Sequence, residues 1–156
     1  LLCVETIMDL REAAAAIEAA RSLAPKIPVM ATATFGRTPQ GYSTLMGASV
    51  KDVVKALEGN GADVIGSNCG EGSAQMLEIA REFRQYARVP LAIQSNAGLP
   101  VKSETGMVYS ETPDFVAAQS AAMLELGVQI IGGCCGTTPD HIRAIRTMVD
   151  ARRKTG

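Results

Sequence analysis

Five times along the chain a short run of apolar residues gives way to a longer stretch whose apolar positions recur every three or four residues. LLCVET (1–6) precedes DLREAAAAIEAARSLA (9–24), and PVMATATF (28–35) precedes SVKDVVKALEGN (49–60). ADVIGSNC (62–69) leads into SAQMLEIAREFRQYA (73–87), and PLAIQSNA (90–97) leads into TPDFVAAQSAAMLELG (112–127). Last come VQIIGGCC (128–135) and TPDHIRAIRTMVDARRK (138–154). The first kind of segment predicts a strand and the second an amphipathic helix. Ser49 is placed to cap the second helix. Each strand–helix pair has the size of a βαβ unit.

The strand segments are near-continuous apolar runs, which is the pattern of a parallel sheet covered by helices. Two connections are longer than the rest, GRTPQGYSTLMGA (36–48) and GLPVKSETGMVYSE (98–111). Both follow the carboxyl end of a strand, where α/β folds build their sites. The fold class is therefore α/β, either an open doubly wound sheet or part of a TIM (β/α)8 barrel. A complete barrel takes about 250 residues, against 156 here. As a barrel, the chain holds about five units and lacks roughly three at the front. A start without Met, inside an apolar run, favours that reading.

Composition narrows the partners. With 15 basic and 16 acidic residues and no basic stripe, nucleic acid is not expected. No apolar run approaches the ~20 residues of a membrane helix, and the first residues do not read as a signal peptide. The four cysteines, Cys3, Cys69, Cys134 and Cys135, do not suggest a small secreted scaffold. A reducing cytoplasm is expected, where unusual cysteines serve as metal ligands or nucleophiles. Cys3, inside a strand pattern, is expected to pack in the core.

The residues able to do chemistry fall at strand carboxyl ends: Glu5 and Thr6, Asn68 and Cys69, Asn96, then Cys134 and Cys135. Parallel strands bring these ends side by side, so cysteines 65 positions apart (134 − 69) can converge. Three thiols match the ligand number of a catalytic zinc, which keeps its fourth position open. Gly132, Gly133 and Gly136 would let the backbone leave strand geometry so that both adjacent cysteines face one ion. Thr138 and Pro139 are expected to open a helix whose N-terminus favours thiolate. The doublet alone also admits two buried thiols, a vicinal disulfide, or an anion-binding turn built on GTTP. Glu5 alone is either a site carboxylate or a cap or ion-pair partner. His141, the sole histidine, is expected on the surface or in helix packing. Tyr42 and Tyr109 are expected to pack their loops, and Met76, Met123 and Met148 to fill the core.

GSNCGEG (66–72), SNAGLP (95–100) and IIGGCCGTTPDHI (130–142), in this order and spacing, resemble the homocysteine S-methyltransferase family. Together they look most like the homocysteine-binding barrel of the family's cobalamin-dependent branch, and LLCVETIMDLREAAAAI (1–17) is similar to the family's fourth strand and helix. The resemblance implies that residues 1–156 are the C-terminal portion of a single homocysteine-binding (β/α)8 barrel, strands four to eight. It implies zinc on Cys69, Cys134 and Cys135, with Glu5 receiving the homocysteine amino group. Asn96 would line the substrate site, and Asn68 would contact substrate or support the turn. The implied reaction methylates homocysteine, activated as a zinc-bound thiolate, to methionine. The methyl donor would be methylcobalamin or methyltetrahydrofolate on a separate corrinoid or folate module. The alternatives are a corrinoid-linked methyltransferase acting on another thiol, and a non-catalytic barrel fragment that needs a partner chain to supply the missing segment. Alone, such a fragment is expected to be unstable or inactive, with open strand edges.

Overall fold

The computed structural model of the protein describes residues 1–104 and 106–153. Its main sheet has five parallel strands: β1 (Leu2–Ile7), β2 (Val29–Ala33), β5 (Val64–Gly72), β6 (Leu91–Asn96) and β9 (Ile130–Gly133). They lie in the order β1-β2-β5-β6-β9, so each strand's neighbour in space is its neighbour along the chain. The intervening helices are α1 (Leu10–Leu23), α2 (Val50–Gly59), α3 (Ser73–Tyr86), α4 (Pro113–Glu125) and α5 (Pro139–Arg153). Each packs on the next, α1 on α2 through α4 on α5. A doubly wound sheet reverses its strand order and carries helices on both faces. This sheet does neither, and forms five consecutive units of a (β/α)8 barrel wall.

Side-chain reach shows the curvature. Strands sit about 4.8 Å apart, so β1 and β6 would be about 14 Å apart in a flat sheet. Yet Gln94 Nε2 on β6 donates to Glu5 Oε1 on β1 at 3.4 Å. The inner face is therefore concave.

Helix starts follow local chemistry. Asp9 accepts from Arg11 N–H at 2.8 Å and opens α1. Ser49 and Asp52 form a complete capping box at α2, as the sequence suggested for Ser49. Thr112 accepts from Phe115 N–H at 3.3 Å, with Pro113 at the first helical position of α4. Alternation along the strands then sorts the side chains. Val29, Ala31, Ile65, Leu91 and Ile93 face the helices and are fully buried with Ile17, Val53, Leu57, Met76 and Phe83. Met30, Val64 and Ala92 form a separate cluster on the inner face.

The structure departs from the sequence reading in two places. Both long connections fold into hairpins, β3 (Gly36–Thr38) with β4 (Gly41–Ser43), and β7 (Pro100–Ser103) with β8 (Gly106–Tyr109). Cys3 is exposed, not packed, because β1 is an edge strand of the sheet and no described residue covers its inner face. Among the described residues no helix is long and apolar enough to cross a membrane.

Candidate active site at the strand carboxyl ends

The strand β9 ends at Gly133, and the cysteine doublet lies just beyond it. Cys134 N–H still donates to Ser95 O at 2.7 Å, so the chain stays tied to β6. Thr137 N–H then donates to Cys134 O at 3.2 Å, which closes a four-residue turn. Gly136, the third residue of that turn, has φ +77°, as a type II turn requires. The turn lifts both thiols out of strand alternation, which would have pointed them to opposite faces.

Cys69 reaches the same point from β5. Its φ is 60°, a left-handed conformation costing about 1–3 kcal/mol for a residue with a Cβ. The three sulfurs of Cys69, Cys134 and Cys135 lie within 4.8 Å of one another. Cys69 Sγ and Cys135 Sγ are 3.7 Å apart. Two sulfurs on one tetrahedral zinc, each at about 2.3 Å, stand about 3.8 Å apart. The donor set thus fits a soft divalent cation in both chemistry and spacing.

The electrostatics also call for a cation. Burial pushes the Cys134 thiol up to about 11, and the neighbouring Cys69 and Cys135 add to the rise. Burial raises Cys69 too, but donors outweigh it: the Gly70 N–H, the Cys135 and Cys134 thiols and the Asn96 amide hold it below its ordinary value. Three thiolates cannot share this spot without a positive charge among them.

The asparagines sit directly beneath. Asn68 is buried, and its Oδ1 accepts from Thr6 N–H at 2.8 Å and Thr32 Oγ1–H at 2.7 Å. Its Nδ2 donates to Thr6 Oγ1 at 2.8 Å and lies 4.0 Å from Cys134 Sγ. Thr6 and Cys69 are the two non-glycine residues with positive φ among the described residues, and Asn68 braces one and adjoins the other. Asn96 is buried too, with Oδ1 accepting from Cys135 N–H at 3.0 Å. Glu5 lies at the exposed end of β1, near Gln94, whose Oε1 is buried without a partner among the described residues.

The structure therefore brings Cys69, Cys134 and Cys135 together, with Asn68 and Asn96 against them and Glu5 on the same concave face. Tyr109 joins them, contrary to the expectation that it only packs its loop. Its ring covers Gly136 so closely that a Cβ there would stand 2.1 Å from the ring. Burial and the nearby Cys135 raise the Tyr109 phenol. Nothing in the sequence marks it, because the β7–β8 hairpin that carries it has strands of four residues, too short for alternation to show. Tyr42 instead is buried and donates to Glu78 Oε2 at 2.7 Å, away from the thiols. His141 is buried in helix packing. Met76 and Met123 fill the core, and Met148 is half-buried.

The sequence profile of the homocysteine S-methyltransferase family matches residues 1–149. The chain belongs to this family. A methionine synthase of Mycobacterium leprae is 38% identical over 151 residues, covering 94% of this chain and 12% of that protein. A methionine synthase of Mycobacterium tuberculosis is 38% identical over 153 residues, covering 95% of this chain and 13% of that protein. The chain thus spans about an eighth of the length of these relatives. Among solved structures, the homocysteine methyltransferase MmuM of Escherichia coli in its apo form superposes with a TM-score of 0.71 at 23% identity. That match covers 95% of this chain and 49% of MmuM. The metallated form gives a TM-score of 0.72 over 94% of this chain and 44% of that one. The family's fold is therefore the fold seen here.

Proposed function

We propose that this chain is the C-terminal portion, strands four to eight, of a homocysteine-binding barrel that methylates homocysteine to methionine. The convergence of three sulfurs at zinc-compatible spacing is the observation that carries this reading. Cys69, Cys134 and Cys135 would hold the zinc. When bound, zinc supplies an open position at which a substrate thiol gives up its proton.

The chain's own residues do the rest. Cys135 faces the open side, since it is exposed while Cys69 and Cys134 are half-buried. Glu5 offers a carboxylate for the substrate ammonium, and Gln94 Nε2, donating to it at 3.4 Å, steadies it on the same face. Asn96 fixes the Cys135 backbone and turns its amide toward Cys69. Asn68 holds the β1, β2 and β5 ends in place beneath the thiols. Tyr109 covers the turn that carries the doublet.

The naming of both mycobacterial relatives as methionine synthases supports the same reaction here. Each of those proteins extends far beyond the matched region, which leaves room for a separate module bearing methylcobalamin or methyltetrahydrofolate. A cluster of reduced thiols suits a reducing compartment, and the cytoplasm is the proposed location.

The test is substrate-dependent turnover together with metal content. The chain together with the missing barrel segment, given a methyl-corrinoid, should methylate homocysteine in preference to cysteine or 2-mercaptoethanesulfonate, with about one zinc per barrel. Chelation should abolish the product and added zinc should restore it. Equal turnover of the other thiols would point to a different acceptor, and zinc-independent turnover would overturn the proposal.

A further inference from the structure

α3 begins at Ser73, four residues after Cys69, and has no side chain of its own to cap it. Its N-cap is Gly72. The cap comes instead from Glu111, 38 positions along the chain. Glu111 Oε2 accepts from Ser73 N–H at 2.9 Å and from Ser73 Oγ–H at 2.6 Å, and Oε1 lies 3.2 Å from the same N–H. The carboxylate is so close that a Cβ on Gly72 would stand 2.4 Å from Oε1. A negative charge at that helix N-terminus is also favoured by the helix dipole.

The rest of Glu111 is tied elsewhere. Its N–H donates to Ala97 O at 3.0 Å, and Ala97 N–H donates to Cys135 O at 2.9 Å. Its carbonyl faces His141 Nε2 at 2.9 Å. Thr138 N–H, at 3.2 Å, can only donate to His141 Nδ1. The ring proton must therefore sit on Nε2, which donates to the Glu111 carbonyl. From the N3 place of α5, His141 thus accepts from the Thr138 N–H while also reaching α4's leading loop.

We infer that Glu111, with His141, is a strut that sets the distance between Cys69 and the Cys134–Cys135 pair. One residue bonds to the start of α3 after Cys69, to the end of β6, and to the start of α5 after the doublet. Neither residue touches a sulfur, so both are positioning residues. This inference rests on the proposed zinc site for its function, but the geometry it describes exists without metal.

The experiment uses the intact protein with Glu111→Ala, Glu111→Gln and His141→Gln, and Asp114→Ala as a control at the head of α4. Zinc affinity is measured by competition with a chromophoric chelator. Cobalt substitution reports geometry through the intensity of its d–d bands. In metal-free protein, the rate of Cys69–Cys135 disulfide formation with diamide, which is reduced to the hydrazide, measures thiol spacing directly.

Glu111→Ala and His141→Gln should weaken zinc binding roughly tenfold to a hundredfold, the range for residues that orient ligands, with weaker cobalt d–d bands and slower disulfide formation. Glu111→Gln, which keeps one acceptor, should recover much of each, and Asp114→Ala should match the parent protein. Unchanged affinity, spectrum and crosslinking rate in His141→Gln would overturn the strut, even if Glu111→Ala fails to fold. If the parent protein bound no metal, the zinc reading would fail, and the crosslinking rates would still decide the strut.

Discussion

The two faces of the sheet use the same backbone for opposite ends. Facing the helices, Val29, Ala31, Ile65, Leu91 and Ile93 are wholly buried and apolar. Facing inward, only Met30, Val64 and Ala92 form an apolar plug, and above it stand Thr32, Asn68, Gln94 and Asn96. Moving one residue along a strand therefore exchanges a packing position for a chemical one. Stability is concentrated on the outer face, where close-packed side chains exclude water. The inner face holds hydrogen-bonded polar groups, two left-handed residues and three thiols that cannot all ionise together, and it accepts that strain because the outer face fixes the strands.

Substitutions that respect or cross this division should separate activity from stability. The largest effect belongs to Cys69→Ser. It should remove bound zinc and lower methyl transfer by more than about a hundredfold, beyond what outer-shell changes cost, while metal-free protein melts as before. Metal analysis with calorimetry reads both. Ile93→Ala, one face away, should do the reverse and cost about 2–5 kcal/mol in denaturant unfolding, with zinc per folded chain unchanged. Asn68→Ala sharpens the comparison, because it is an inward residue with a structural duty. Leaving Thr6 N–H and Thr32 Oγ1 without their acceptor should cost about 1–3 kcal/mol and also weaken zinc binding.

Tyr109→Phe keeps the ring over Gly136 and deletes only the hydroxyl, so zinc should stay and KM for the thiol should move roughly twofold to tenfold. The smallest effect is acidic. The Val29 N–H, donating at 2.7 Å, and the Arg21 guanidinium hold the Asp63 carboxyl below its ordinary value. A lowered acid contributes stability above its unfolded pKa of about 3.9, and that stability is lost as pH falls through the folded value. Asp63→Asn should flatten this slope by under about 1 kcal/mol, since the pair is largely exposed.

The five strand–helix units were legible because period and caps agree along most of their length. The meeting of Cys69 with Cys134 and Cys135 was legible because parallel strand ends lie side by side. The hairpins β3–β4 and β7–β8 were not, since each strand has only three or four residues, too few for alternation to show. Cys3 misled because an apolar run says that a strand is buried, not which of its faces is covered. Glu111 was invisible as a cap because capping patterns are read within four residues, and this carboxylate serves a helix 38 positions away. His141, expected on the surface or in helix packing, lies in the latter, but its bond to a distant carbonyl has no sequence signature.

The strict agreement between chain order and strand order bears on how the site comes into being. As the chain is synthesised, each strand can dock beside the one before it, without waiting for a distant segment. Cys69 is in place while the doublet has yet to emerge. A lone thiol on an unfinished wall is a poor trap for a metal, so under the proposed zinc site nothing would lock this wall before β9 arrives. Ion capture would then be a signal that these five units are assembled, delivered by the residues that finish them.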